Sequence, residues 1–258
     1  MDNTVNSPSM SVVHGIPLAD EPGLGPLTIP FYLREVTDRY ADREALVMRT
    51  ASGTERWTYA TLWNRSVDVA QALIAAGVGK GGRVGILMSN RLEYLACVFG
   101  TALAGGVTVA LSTFSTPIEL EHLLQASAVS ILLFERQVVK QDFATMLGQL
   151  EPQILTATPG QIISIKYSFL RRVVMLGSAT GDAGDAGESA TGAIERWSDF
   201  LAEGQEVSPK LVDARAATVS RKPIPACCFF PLVPPAFPRA FCTRTAPSPC
   251  NGGAGRAS

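Results

Sequence analysis

After Ser220 the sequence contains no aspartate or glutamate, although all 23 acidic residues of the 258-residue chain stand before it. Histidine is scarce, with only His14 and His122, and Cys97 is the one cysteine before residue 220. A lone cysteine excludes a disulfide framework for that part of the chain. Two histidines with no nucleophile in their sequence context give no catalytic relay, and both read as surface residues. No apolar run approaches the roughly 18 residues that a membrane-spanning helix needs. The apolar stretch 223–241 is broken by six prolines. The opening MDNTVNSPSM lacks the basic and apolar regions of a secretory signal. A basic stripe with interleaved aromatics is also missing: residues 1–220 carry 17 basic against 23 acidic side chains, a balance of −6, which argues against a general nucleic-acid binder. A soluble, cytoplasmic protein is the expectation.

What is present is an ordinary globular composition, 47% hydrophobic and 17% charged. Residues 1–28, rich in Gly, Pro and Ser, read as a flexible lead-in. The pattern then predicts a helix over 29–40 and strands over 45–48 and 55–58 that form a hairpin. A helix over 59–76 follows, capped by Thr58, ended by Gly77, and apolar along Leu62, Ser66, Val69, Leu73 and Ala76. Next come a strand over 83–88 and a helix over 91–104, with Asn90 as its cap, Leu92, Leu95, Val98, Phe99 and Ala102 inward, and Gly105-Gly106 as its stop. A strand over 107–111 leads to Thr116-Pro117-Ile118-Glu119, a capping box with proline in the first helical position. That helix runs to Ala126, followed by a strand over 130–134, a helix over 140–150, a strand over 171–176, a loop over 177–191 and a helix over 194–202. Helices alternating with short apolar strands imply an α/β fold: a doubly wound, mainly parallel sheet covered on both faces.

Several stretches within this pattern carry a family likeness. They are W-T-Y-A-x-L at 57–62, G-V-G-K-G-G-R-V at 77–84, I-L-M-S-N-R-L-E-Y at 86–94, F-G-T-A-L-A-G-G-V-T-V-A-L at 99–111 and E-L-E-H-L-L-Q-A-S-A at 119–128. Together they resemble the N-terminal region of the adenylate-forming acyl-CoA synthetases, the AMP-binding superfamily, over 29–139 and more weakly to about 220. Gly82 stands where the family often has aspartate. The resemblance implies an AMP-forming acid–CoA ligase that makes an acyl-adenylate from ATP and a carboxylic acid, fatty or aromatic, and passes the acyl group to coenzyme A. ATP, Mg and CoA are the implied cofactors of the complete family. The matching positions are turns, caps and helix stops, so no catalytic, cofactor-binding or metal-binding residue is named. The family's first chemical motif is a Ser/Thr/Gly-rich loop ending in lysine, whose backbone N–H groups and ammonium cradle phosphates. It is expected about where Ser220 lies, after a D-P-x-x-L-x-F-x-S lead, and it is not present.

Residues 221–258 hold 8 of the 17 prolines, the cysteines Cys227, Cys228, Cys242 and Cys250, and five basic residues with no acid. Reading the codons one base back from Pro223, with permitted wobble choices, gives A-D-P-G-L-L-F-F-S-S-G-S-T-G-L-P-K-G-I-L-H-A-H-R-A-V-A-M. That string is the missing loop with its lead, so the tail reads as a frameshifted, disordered segment. The expected organisation is therefore a lead-in over 1–28, a partial AMP-binding domain over 29–220 and a Pro/Cys-rich tail over 221–258. Without the loop the chain alone is expected to be inactive. The alternative is a non-catalytic interaction protein that uses the exposed half-domain, with self-association through an open sheet edge. Other motifs carry less. Pro231-Leu232-Val233-Pro234 fits a P-x-x-P ligand but is incidental in the offset reading. The tail cysteines lack paired zinc spacing. Gly79-Lys80-Gly81-Gly82 follows a helix and precedes a strand, the reverse of a phosphate loop. The G-D-A-G-D-A-G stretch at 181–187 reads as a loop.

Overall fold

In the computed structural model of the chain, residues 28–50, 53–177, 191–219 and 227–229 are described. Helix α1 (Ile29–Tyr40) carries proline at its start and buries Leu33. Strands β1 (Glu44–Thr50) and β2 (Gly53–Thr58) pair antiparallel as the expected hairpin. Thr58 Oγ1 accepts the Thr61 amide at 3.2 Å, capping α2 (Tyr59–Ala75). The inward face of α2 is Leu62, Ser66, Val69 and Leu73, and the helix closes at Gly77, whose φ of +84° only glycine adopts easily.

The βα units follow: β3 (Arg83–Leu87), α3 (Leu92–Leu103), β4 (Val107–Ala110), α4 (Pro117–Ser127) and β5 (Ile131–Glu135). A two-rung hairpin, β6 (Gln137–Val138) and β7 (Gln141–Asp142), precedes α5 (Phe143–Leu150) and the single turn α6 (Gln153–Thr156). The described chain ends with β8 (Arg172–Leu176), β9 (Ile194–Arg196), α7 (Trp197–Gly204), α8 (Pro209–Ala217) and β10 (Cys227–Phe229). The main sheet has the order β10-β4-β3-β5-β8-β9, and every pairing in it is parallel. Alternate strand residues enter different cores. Val84, Ile86, Ile131, Leu133, Val174 and Leu176 pack with α1, α2, α3, α7 and α8. Leu87, Val109, Leu132, Phe134, Val173 and Met175 pack with α4 and α5 on the other face. The expected doubly wound parallel sheet is what the chain forms.

Local signals hold where they are strongest. Thr116 Oγ1 accepts the Glu119 amide at 3.3 Å while Glu119 Oε2 takes the Thr116 amide at 2.8 Å, which completes the capping box. Thr116→Ala removes the acceptor and frees its reciprocal partner, so we expect a loss of about 1 kcal/mol in urea unfolding, with Thr116→Ser restoring most of it.

Elsewhere the structure corrects the pattern. Residues 140–142 are not helical: Val139 turns with φ +57°, and α5 starts only after Asp142, whose carboxylate accepts the Thr145 amide at 3.0 Å. Ile194–Arg196 is a strand and not the start of a helix, because Ile194 pairs beside Val173 and Glu195 receives the Arg172 guanidinium at 2.7 and 2.6 Å. Asn90 does not cap α3, whose N-cap is Arg91, and no side chain caps the backbone amides of its first turn. Leu92 is buried as expected, and Leu95, Val98 and Phe99 pack half-buried against the same core, but Ala96, Cys97, Gly100, Thr101 and Leu103 are buried more deeply. Helices α6 and α8 are unanticipated, α8 being capped by Ser208, which accepts the Lys210 amide at 3.3 Å. Of the tail expected to be disordered, Cys227–Phe229 pairs with Thr108, Val109 and Ala110 as an edge strand. The rest of the tail, most of the lead-in, His14 and the 181–187 stretch lie outside the described residues.

Candidate functional site

In an open α/β sheet, ligands sit outside the carboxyl ends of the strands where successive connections leave for opposite faces. Here β3 leads into α3 on one face and the neighbouring β4 leads into α4 on the other. The candidate site is therefore the rim formed by the segments that follow β3, β4, β5 and β8.

Glu135, the last residue of β5, is 2% exposed and closes the rim from below. Its Oε2 accepts the Ser89 amide at 2.9 Å and the Ser89 hydroxyl at 2.6 Å. Arg91 Nη1 stands 3.7 Å from its other oxygen and donates to the Gly177 carbonyl at 2.6 Å. The same guanidinium holds both oxygens of Glu93, at 2.8 and 3.1 Å. One side chain thus ties together the ends of β3, β5 and β8. Burial opposes the charge on both Arg91 and Glu93, but their mutual hydrogen bond and attraction outweigh it. The Arg91 pKa is held above its ordinary value and that of Glu93 below the usual glutamate range.

The helix N-termini at this rim are the natural seats for phosphate, since each offers unpaired N–H groups and a positive dipole end. All three already carry a carboxylate of their own. Glu93 lies in the first turn of α3, Glu119 reaches back over the start of α4, and Asp142 caps α5. At α4 and α5 a second anion meets an occupied donor as well as like charge, while at α3 no side chain caps the helix and Glu93 is held by Arg91. Among the described residues, no three His, Cys, Asp or Glu side chains converge to hold a metal ion. These residues do not fit a magnesium triphosphate.

The Arg91–Glu135 tie is not anticipated from the sequence. Its one local signal is a carboxylate ending the otherwise apolar run Ile131–Glu135. His122 is exposed on α4. Cys97 is fully buried in α3, and burial pushes its thiol pKa up, which keeps it unreactive. Gly79–Gly82 is a turn at the opposite, amino edge: Gly81 has φ +79° and the Gly82 amide donates to the Gly79 carbonyl. Cys227 and Cys228 lie on β10, and Cys242, Cys250 and Pro231–Pro234 lie outside the described residues. Among the described residues, hollows also lie away from the switch point. One of about 270 Å³ lies between α5 and the β8–β9 pair, lined by Arg136, Thr145, Leu155, Met175 and Ile194. Another, a groove of about 640 Å³ between α1, α2 and α8, is spanned by the Arg34–Asp213 ion pair.

The fold and its rim can be set beside known proteins. A family model described as AMP-binding enzyme matches residues 33–179. YngI of Bacillus subtilis (strain 168) is 33% identical over 151 residues, which are 58% of this chain and 27% of that protein. Medium-chain acyl-CoA ligase ACSF2, mitochondrial, of Danio rerio is 32% identical over 180 residues, 69% of this chain and 29% of that one. The crystal structure of the anthranilate CoA ligase AuaEII in complex with anthranoyl-AMP shares the fold, with a TM-score of 0.51 at 20% identity over 71% of this chain and 29% of its own. The chain spans under a third of the length of each of these relatives. A family match across more than half of the sequence, on a parallel sheet with the same fold, establishes that the chain belongs to the AMP-binding enzyme family.

Proposed function

We propose that this chain is the front portion of an AMP-forming acid–CoA ligase. In that reaction a carboxylate oxygen attacks the α-phosphorus of ATP and pyrophosphate leaves. The thiol of coenzyme A then attacks the acyl carbonyl, and AMP leaves. Magnesium travels with ATP as part of the substrate. The names of the relatives, a medium-chain acyl-CoA ligase and an anthranilate CoA ligase, support a fatty or aromatic acid. The setting proposed is the cytoplasm, which cell fractionation tests.

The 258-residue chain by itself is proposed to be inactive. One observation carries this: β10 ends beside Ala110 at the rim, where a phosphate loop would begin, and Phe230-Pro231-Leu232-Val233-Pro234-Pro235-Ala236 follows with neither glycine nor lysine. The offset reading supplies S-S-G-S-T-G-L-P-K-G at that point. The carboxylates at the helix N-termini support the same reading, because a phosphate placed there would meet like charge. ATP–pyrophosphate exchange with octanoate and with anthranilate is the test. The 258-residue chain is expected to stay at background, and a gene with its frame restored before codon 223 to exceed it about a hundredfold or more. Exchange by the unaltered chain, or codons incompatible with the offset string, overturns the proposal.

A second reading, a non-catalytic interaction protein that associates through its exposed half-domain, is favoured by Phe114 and Ile118, which are 83% and 81% exposed beyond the carboxyl end of β4.

A further inference from the structure

We infer that the amino edge of the sheet docks on an anionic lipid surface, with Ile163, Ile165 and Phe169 entering the headgroup layer and Lys80, Arg83 and Arg171 meeting lipid anions. The inference stands apart from the ligase reading, because it concerns the edge opposite the candidate site and uses no residue of the rim.

The segment between α6 and β8 holds three large apolar side chains out in water. Ile165 is 99% exposed, Ile163 75% and Phe169 62%. The backbone that carries them is fastened from inside. Ile162, Tyr167 and Leu170, interleaved with the exposed side chains, are buried in the core on the α4–α5 face. Ser164 donates its hydroxyl to the buried Glu151 and accepts the Tyr167 amide at 2.9 Å. Lys166 reaches across to α4 and pairs with Glu121 at 2.7 Å. Apolar side chains presented on a backbone fixed in this way add little ordering cost when they are buried.

Charge selects the occupant. Residues 152–172 contain no aspartate or glutamate and carry Lys166, Arg171 and Arg172. Lys166 is neutralised by Glu121, and Arg172 by Glu195 and Glu203. What remains is a row of cations along the starts of adjacent strands. The Ser130 amide donates to the Arg83 carbonyl and the Arg171 amide to the Ser130 carbonyl, both at 2.9 Å, so Arg83 and Arg171 flank Ser130 where β3, β5 and β8 begin. Lys80 stands in the turn just before Arg83. All three are exposed, and among the described residues none of them forms an ion pair. Arg83 donates to the Ser127 carbonyl and Arg171 to the Leu170 carbonyl, contacts that orient the guanidinium groups without cancelling their charge. Cations beside protruding aliphatic tips match a layer of anionic headgroups over acyl chains. Isoleucine offers no stacking face to nucleic-acid bases, and separate tips do not form the continuous area of a stable protein interface. The contact is with the surface of one leaflet, and it turns the rim with Arg91 and Glu135 away from the bilayer.

The test floats the 258-residue chain with vesicles made of equal parts phosphatidylcholine and phosphatidylserine, and with vesicles of phosphatidylcholine alone. Retention is expected on the first, weaker by about tenfold or more on the second, and falling as added salt shortens the screening length. Ile163→Ser/Ile165→Ser/Phe169→Ser is expected to lower retention on the anionic vesicles by about tenfold or more. The same variant is expected to melt at the wild-type temperature, since none of the three side chains is in the core. Lys80→Gln/Arg171→Gln is expected to lower retention by about tenfold with the apolar tips intact. In Ile165→Trp the added indole is expected to shift its emission to the blue on the anionic vesicles. No retention of the wild-type chain, equal retention on both kinds of vesicle, or equal retention by the triple variant overturns the inference. So does a triple variant that instead abolishes pairing between two copies of the chain, which would assign the tips to self-association.

Discussion

Gly100→Ala is expected to destabilise the domain, although in mid-helix alanine ordinarily gains about 1 kcal/mol over glycine. A Cβ at Gly100 would lie 2.7 Å from Val69 Cβ and Cγ1 and 2.8 Å from the Ser66 carbonyl oxygen. The Ser66 oxygen is backbone and already accepts within α2, so it cannot turn aside; the two helices must part. The same logic binds α7 to α2, where a Cβ at Gly204 would meet the Ala72 nitrogen at 2.5 Å. Overpacking of this kind costs about 1–3 kcal/mol. For a domain of this size each kcal/mol lowers Tm by about 2–4 °C. Val69→Ala in the Gly100→Ala background is expected to recover part of the loss, while Val69→Ala alone costs stability by opening a cavity. A melting temperature at or above wild type for Gly100→Ala would mean that α2 and α3 are not in backbone contact.

That contact also explains why part of the fold is not legible in the sequence. The ends of α1 and α4 and the stop at Gly77 are written locally, in a proline start, a capping box and a left-handed glycine, so they match the structure. The inward face of α3 is not. Hydrophobic pattern favours Leu95, Val98 and Phe99, but close approach to α2 selects Gly100, where a Cβ would meet Val69 and the Ser66 carbonyl, and Ala96 and Thr101 are buried in the same helix. Strand β9 is hidden for a different reason. Ile194-Glu195-Arg196 runs without a break into the helical pattern of Trp197–Gly204, and only pairing with Val173, Val174 and Met175 makes it extended. The edge strand β10 shows how little a frame change need alter local character. The offset reading has Leu-Leu-Phe where the chain has Cys-Cys-Phe, and thymine-rich codons encode apolar residues in both frames. At the rim, the Ser89–Arg91 segment, Glu135 and Gly177 are far apart in sequence and meet only because β3 lies beside β5 and β5 beside β8. Sheet order assembles them, and no single segment announces it.

Arg91→Ala is expected to cost more than loss of any exposed ion pair. Pairs such as Arg56–Glu44, with both partners about half exposed, contribute roughly 0–1 kcal/mol. Arg91 is different because its removal leaves Glu135 buried at the rim and also strips a donor from the Gly177 carbonyl. Breaking one side of a buried pair costs about 3–5 kcal/mol. The Ser89 amide and hydroxyl remain on Glu135, which puts the expected loss at the lower end of that range. Arg91→Lys keeps the charge but cannot grip Glu93 with two nitrogens while reaching Gly177, so it is expected to fall between the two. Acid separates the charge effect from packing. The Glu93 pKa is depressed in the folded chain by Arg91, so its contribution is complete above the ordinary value of 4.5 and is lost as pH falls through the folded value. Arg91, with its pKa raised, stays protonated throughout that window. The gap in urea midpoint between wild type and Arg91→Ala is therefore expected to be full at neutral pH and to narrow once the pH drops below that of an ordinary glutamate. A gap that holds constant into strong acid would assign the loss to packing of the arginine stem, and the three strand ends would then owe their alignment to the sheet alone.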